Sequence, residues 1–233
     1  MNAISENLSL VRQRLREAEQ RADRPEGSVG LVAVGKTWPA TALEEAYRLG
    51  QRDFGENYLQ EAIAKQEALS HLAIIWHFIG PIQSNKTRPL AERFDWIHGV
   101  DRLKIAQRLS EQRPEHLPPL NLCIQVNVSQ EASKFGVALV DLKPLAEAIN
   151  ELPRIKLRGL MAIPAPSGDF EEQRQSFRIL RVALEQMPIP RMDTLSMGMS
   201  DDLEAAVMEG ATFVRIGTAI FGKRTRNPNT LEG

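Results

Sequence analysis

The tightest constraint on what this chain can fold into is a rhythm. Short runs of β-branched and aliphatic residues alternate with longer amphipathic stretches, and no linker interrupts them. The β-like runs are LVAVGK, RDFGE, IIWHFIG, DWIHGV, LNLCIQVNV, IKLRGLMAI, TLSMG and TFVRIG, with LNLCIQVNV the longest. An amphipathic helix carrying Ile4, Leu8, Val11 and Leu15 precedes them, within residues 1–24. Between the strands, Pro39 opens a helix that Gly50 closes, and a second helix runs from Tyr58 to Leu69. SNKTRPLAERF is helical in part, and DRLKIAQRLSEQ sets Leu103, Ala106 and Leu109 on one side. LVDLKPLAEAINEL follows, with Pro144 near its first turn. DFEEQRQSFRILRVALEQM turns Phe170, Phe177, Leu180 and Leu184 inward, and DDLEAAVMEG completes the set. Regular alternation implies parallel strands, and eight of them in 233 residues predict an α/β fold, a single (β/α)8 barrel domain over 1–233. A doubly wound sheet is the alternative. The polar segment 223–233 reads as a mobile tail.

Charge narrows the partner. Lys and Arg number 29 against 30 Asp and Glu, a net charge of −1, which gives no electrostatic case for nucleic acid or an acidic membrane. A small molecule fits better, bound by a monomer. Cys123 stands alone in an apolar run, so no internal disulfide forms and the residue reads as core. The charged N-terminus resembles neither signal peptide nor anchor, so a cytoplasmic protein is expected. His71, His77, His98 and His116 are scattered, without metal-ligand spacing.

In a barrel, function belongs at the C-terminal ends of the strands. Lys36 falls there and has two readings. It is a strand-end lysine reaching solvent, or an amine in a partly dry mouth, nucleophilic enough to form a Schiff base with an aldehyde. SMGMS and RIGT fall after strands seven and eight, where many barrels bind phosphate at the start of a short helix. The competing reading has Ser200 capping a helix that starts at Asp201, with Gly217 making a turn. An aldehyde that also carries phosphate names pyridoxal 5'-phosphate. Arg215 would then face the pyridine nitrogen, keep it unprotonated and weaken the ring as an electron sink. Without that ligand Arg215 is a barrel-core ion-pair residue.

VAVGKT, FGENYLQE, WHFIGPIQSNK, IHGVD, QVNVS, SKFG, GLMAIP and LSMGMSDDLEAAVMEGATFVRIGTAIFG, in this order, resemble the YggS/PROSC family of pyridoxal phosphate homeostasis proteins across nearly the whole chain. The resemblance implies a barrel like the N-terminal domain of alanine racemase, holding the cofactor covalently as a Schiff base. It makes Lys36 the Schiff-base lysine and Arg215 the residue at the pyridine nitrogen. Ser200, Gly217 and Thr218 match phosphate-binding positions, and Asn57, Met161 and Ser196 look like ring-side contacts. His77, Asn85 and Lys86 lie in family blocks without an assigned role. Trp38 stands where some relatives have a second lysine, so a role for that lysine in passing the cofactor on does not carry over. Lys223, Arg224 and Arg226 read either as phosphate attractors or as solvated surface charge.

The resemblance implies a carrier or buffer that serves intracellular pyridoxal phosphate homeostasis and supplies apo-enzymes. Racemisation needs an acid/base on each face of the α-carbon. Tyr47 and Tyr58, the two tyrosines, have no evident catalytic position. The rivals are a small pyridoxal-phosphate-dependent racemase or lyase, a cofactor-free Schiff-base aldolase using Lys36, and a scaffold.

Overall fold

The structure is a computed structural model that describes residues 3–129 and 135–223. Helix α1 (Ala3–Arg21) precedes β1 (Gly30–Val34), and the chain then alternates α2 (Ala40–Arg48), β2 (Asp53–Glu56), α3 (Leu59–Ala68) and β3 (Ile75–Phe78). A 3-10 turn (Ser84–Lys86) leads into α4 (Thr87–Arg93), β4 (Trp96–Val100), α5 (Leu103–Gln112) and β5 (Leu120–Gln125). The last third holds α6 (Leu139–Asn150), β6 (Ile155–Met161), α7 (Phe170–Glu185), β7 (Thr194–Ser196), α8 (Leu203–Met208), β8 (Phe213–Ile216) and the short α9 (Thr218–Phe221). The strands pair in chain order and all in parallel. The barrel closes where β1 meets β8, with Gly30 opposite Phe213 and Ala33 opposite Ile216.

Two apolar layers hold it. Outward strand residues such as Phe54, Ile97 and Leu122 pack with helix residues such as Leu43, Leu109 and Phe177, all fully buried, in one continuous cluster. Truncating Phe177 to alanine costs about 3–5 kcal/mol by cavity formation. Inside the barrel a smaller cluster of Trp96, Cys123, Met161 and Phe213 plugs the floor. Burial pushes the Cys123 thiol up to about 12, so this cysteine is inert core.

Helix α1 reaches the far end of the chain. The buried Glu19 carboxylate accepts from Val29 N–H at 2.8 Å and Gly27 N–H at 3.1 Å, which fixes the entry to β1. Arg14 grips Glu204 of α8 through two 2.9 Å bonds and also reaches Ser200 O at 3.1 Å, while Asn7 donates to Ile220 O of α9 at 3.0 Å. The N-terminal helix thus braces the two loops that follow β7 and β8.

Four local expectations change. LNLCIQVNV is not the longest strand: β5 has six residues and β6 seven, because beyond Gln125 only an isolated bridge from Val126 to Val137 forms. Pro144 lies in the second turn of α6, where its missing N–H leaves the carbonyl of exposed Val140 without a helical donor. Phe170 is 44% exposed; it is the first residue of α7, directly behind the Asp169 cap. Helix α8 starts at Leu203, two residues later than a Ser200 cap requires. The tail beyond Lys223, with Arg224 and Arg226, lies outside the described residues.

Candidate functional site

Successive side chains of a strand alternate faces, so Val32 and Val34 share the inward face of β1, which ends at Val34. Lys36 follows in the turn that Trp38 N–H closes onto Gly35 O at 3.0 Å, and it lines a cavity of about 480 Å³ at the C-terminal end of the barrel. Its walls include Lys36, Asn57, Ser200, Arg215, Gly217 and Thr218, six of the eight residues singled out from the sequence. The other two lie beneath it: Met161 and Ser196 are fully buried, the former in the floor cluster and the latter against Arg215.

The backbone around Lys36 is clamped from both sides. Lys65 Nζ of α3 donates to Gly35 O at 2.7 Å, and Thr37 N–H donates to Glu61 Oε1 at 2.5 Å. Thr37 itself holds φ at 69°, a left-handed conformation that a β-branched residue adopts only under constraint. Lys65 also bonds Glu56 Oε1 at 2.7 Å and Glu61 Oε1 at 2.6 Å, so one buried ammonium ties two carboxylates under the site. Burial pushes Glu56 up to about 7, against the opposing pull of Lys65 and Lys36. Glu56 Oε2 is buried without a hydrogen-bond partner among the described residues.

The opposite wall is built for an anion. Ser200 does not cap α8; its Oγ accepts weakly from Ala219 N–H of α9, at 3.4 Å. That contact brings the loop after β7 against the start of α9, where Gly217 and Thr218 offer the first N–H groups of a helix. Gly198 shapes the loop. Its φ is +95° and a Cβ there would come within 2.6 Å of Ala206 Cβ, while its carbonyl accepts from Arg215 N–H at 2.9 Å. Asp202 turns its carboxylate back onto Met199 N–H at 2.5 Å, whereas Asp201 borders the cavity.

Arg215 forms the base between the two walls. Only 4% exposed, it donates to Ser196 Oγ at 2.8 Å and Ala162 O at 2.9 Å. Burial lowers its pKa to about 10, with Asp202 and Cys123 opposing, so it remains a cation at neutral pH. Asn57 Oδ1 is buried with no partner among the described residues, an open valence on the cavity wall. Trp38 closes one side by packing on Phe221, ring centroids 6.0 Å apart. A primary amine, a buried guanidinium, a hydroxyl and helix N–H groups around one cavity suit a ligand with a carbonyl at one end and a phosphate at the other. Pyridoxal 5'-phosphate fits that donor set.

Several contributors escaped the sequence reading. Glu61 and Lys65 form an i,i+4 pair that helical spacing reveals, but its approach to Gly35 needs the fold. His77 and His98 lie in blocks that the sequence singles out, but their bonding with Asp53 into a row beneath Ser196 needs the closed sheet. Asn85 and Lys86 sit on the 3-10 turn after β3 and are not on the cavity wall. Among the described residues no cluster of three or more potential metal ligands occurs, and no helix is long and apolar enough to cross a membrane.

Comparison with known proteins agrees with this fold. The family model for the alanine racemase N-terminal domain matches residues 4–225. A pyridoxal phosphate homeostasis protein of Pseudomonas aeruginosa is 62% identical over 224 residues, 96% of this chain and 97% of that one. Its Escherichia coli counterpart is 52% identical over 229 residues, 96% and 98% of the two chains. Among solved structures, PipY of Synechococcus elongatus with pyridoxal phosphate bound is 41% identical with a TM-score of 0.79, covering 94% of this chain and all of that one. Alanine racemase from Corynebacterium glutamicum, 20% identical with a TM-score of 0.66 over 95% of this chain and 61% of its own, shares the fold. With a closed barrel, a lysine lining the cavity at its mouth, and relatives of this identity over 96% of its length, the chain belongs to the pyridoxal phosphate homeostasis proteins of the alanine racemase N-terminal domain family.

Proposed function

We propose that this chain binds pyridoxal 5'-phosphate in the barrel mouth and serves as an intracellular carrier or buffer of that cofactor. The observation that carries the reading is the single cavity wall shared by Lys36, Arg215 and the start of α9. Lys36 holds the ligand covalently: its amine adds to the aldehyde carbon and one water leaves, giving a Schiff base. Ser200 Oγ and the N–H groups of Gly217 and Thr218 receive the phosphate, and Asn57 lies beside the ring. Met161 and Ser196 act from below, one by packing and one by holding Arg215. When bound, the cofactor supplies an electrophilic aldehyde conjugated to a pyridine ring.

Arg215 supports a holding role over catalysis. A guanidinium is a donor and not a proton source at neutral pH, so the ring nitrogen facing it stays unprotonated and accepts electrons poorly. Neither tyrosine is on the cavity wall; Tyr58 is 55% exposed and Tyr47 Oη accepts from Ala73 N–H. Release to apo-enzymes follows from the open mouth and the reversible bond. The test is spectroscopic titration of the protein with pyridoxal 5'-phosphate, pyridoxal and inorganic phosphate. A visible band with the first, much weaker affinity for the second and competition by the third are expected. No band would remove the reading, and stereospecific exchange of an amino acid's α-hydrogen would replace it with a racemase or lyase.

A further inference from the structure

Beneath Arg215 the barrel interior holds polar groups that the binding reading does not use. Arg215 Nη1 lies 2.8 Å from Ser196 Oγ, which lies 2.7 Å from His98 Nδ1. His98 Nε2 lies 2.9 Å from His77 Nδ1, and His77 Nε2 lies 2.9 Å from Asp53 Oδ1. Ser196, His77 and His98 are fully buried, whereas the Asp53 side chain is 26% exposed at the opposite end of the barrel. The row therefore runs from the floor to the cavity wall.

Its hydrogens have one consistent arrangement when both imidazoles are neutral. The Asp53 carboxylate only accepts, so His77 carries its proton on Nε2 and leaves Nδ1 as an acceptor. His98 then donates from Nε2 and accepts at Nδ1. Ser196 gives its hydroxyl proton to His98 and accepts from Arg215, which has donors alone. The reverse order fails at the carboxylate end, where it sets an imidazole lone pair 2.9 Å from a carboxylate oxygen. At the other end it would make His98 Nδ1–H the donor to Ser196 Oγ and leave the hydroxyl proton without an acceptor on His98. Burial and the neighbouring His77 and Arg215 hold His98 well below its ordinary pKa, consistent with a neutral ring. Packing keeps the row in line: His77 stacks on Trp96 at 5.7 Å with planes 6° apart, and Phe213 meets it edge-on at 5.4 Å.

We propose that Asp53, His77, His98 and Ser196 form one polarised hydrogen-bond chain that orients Arg215, making Asp53 and His77 positioning residues for a ligand at the far end of the barrel. The inference rests on the binding reading for its consequence, but the chain itself is a property of the unloaded protein. Each bond in such a chain strengthens the next, so the carboxylate makes Ser196 Oγ a better acceptor and fixes which guanidinium donors face the cavity.

The experiment uses the full chain labelled with 15N-histidine and 15N-arginine. Long-range proton–nitrogen spectra of the unloaded protein are expected to show both buried imidazoles neutral with the proton on Nε2, against averaged tautomers at the exposed His71 and His116. Asp53→Asn keeps the shape and removes the charge. It should mix the His77 tautomers, move the Arg215 guanidinium signals and weaken pyridoxal 5'-phosphate binding about fivefold, the low end of coupling between distant sites. Asp193→Asn removes a charge just before β7, where Asp193 pairs with Arg158, and should leave all three unchanged. A protonated His77, a proton on His98 Nδ1, unmoved Arg215 signals in Asp53→Asn, or equal effects from Asp193→Asn would each overturn the proposal. Failure of pyridoxal 5'-phosphate to give a band with the wild-type protein would remove the binding reading alone, because the unloaded spectra decide the chain.

Discussion

The two ends of this barrel treat their charged groups differently, although buried oxygens without partners among the described residues occur at both, including Gln66 Oε1 and Gln112 Oε1 toward the floor. At the floor, charges are consumed. Arg158 pairs with Asp193 at 2.8 Å, lies over the Trp96 ring at 5.0 Å and also reaches Asn121, while Arg113 satisfies the carbonyls of Ala91, Phe94 and Pro118. At the mouth, valences stay open. Glu56 Oε2 and Asn57 Oδ1 are buried without partners among the described residues, Thr37 is held in a left-handed conformation, and α9 begins at the cavity wall. A closed apolar plug with satisfied charges stabilises the fold; unpaired buried oxygens cost stability, and those at the mouth stand where a ligand can complete them.

The largest expected contrast comes from Lys36→Ala. It should abolish the visible band and the covalent adduct while leaving the thermal transition near that of the wild type, because a mouth lysine does little for the core. Ser200→Ala removes a hydroxyl from the anion wall and should weaken pyridoxal 5'-phosphate about tenfold, the cost of one charge-assisted hydrogen bond, with pyridoxal unaffected in the same titration. Gly198→Ala tests the loop itself. Left-handed strain and the approach to Ala206 should lower unfolding free energy by about 1–3 kcal/mol in denaturant melts, more than loss of the half-exposed Arg158–Asp193 pair.

A smaller effect separates the ends by pH. Glu56, pushed up to about 7, is neutral below that pH and anionic above it. An anion beside Lys36 favours the ammonium over the nucleophilic amine, so Glu56→Gln should accelerate adduct formation above about pH 7 and match the wild type below it. Stopped-flow rates across pH 6–9 check this, and equal rates throughout would separate Glu56 from Lys36. The smallest effect belongs to the floor: Asp193→Asn breaks a half-exposed pair worth about 0–1 kcal/mol and should not touch ligand affinity.

The barrel was legible in the sequence because strand and helix periods alternate, and Lys36 because it follows an apolar run at the C-terminal end of the first strand. Ser200, Gly217 and Thr218 were reachable from their place after the last two strands. Met161 and Ser196 were found as residues but not at their depth, since a strand's register gives its face and not how far the ligand descends. The row from Asp53 to His98 was illegible for a different reason: its members come from β2, β3 and β4 and meet only when the sheet closes. Ser200 looked like a cap because Ser followed by Asp-Asp is a helix-start signal; the backbone delays α8 to Leu203 and aims the hydroxyl at α9.

The most direct measurement is borohydride reduction of the protein loaded with one equivalent of pyridoxal 5'-phosphate, followed by peptide mass mapping. A single phosphopyridoxyl adduct on Lys36 is expected, since its amine shares the cavity with the anion wall. Modification confined to Lys223, which also borders the mouth, or spread over exposed lysines with Lys36 unlabelled, would contradict the site.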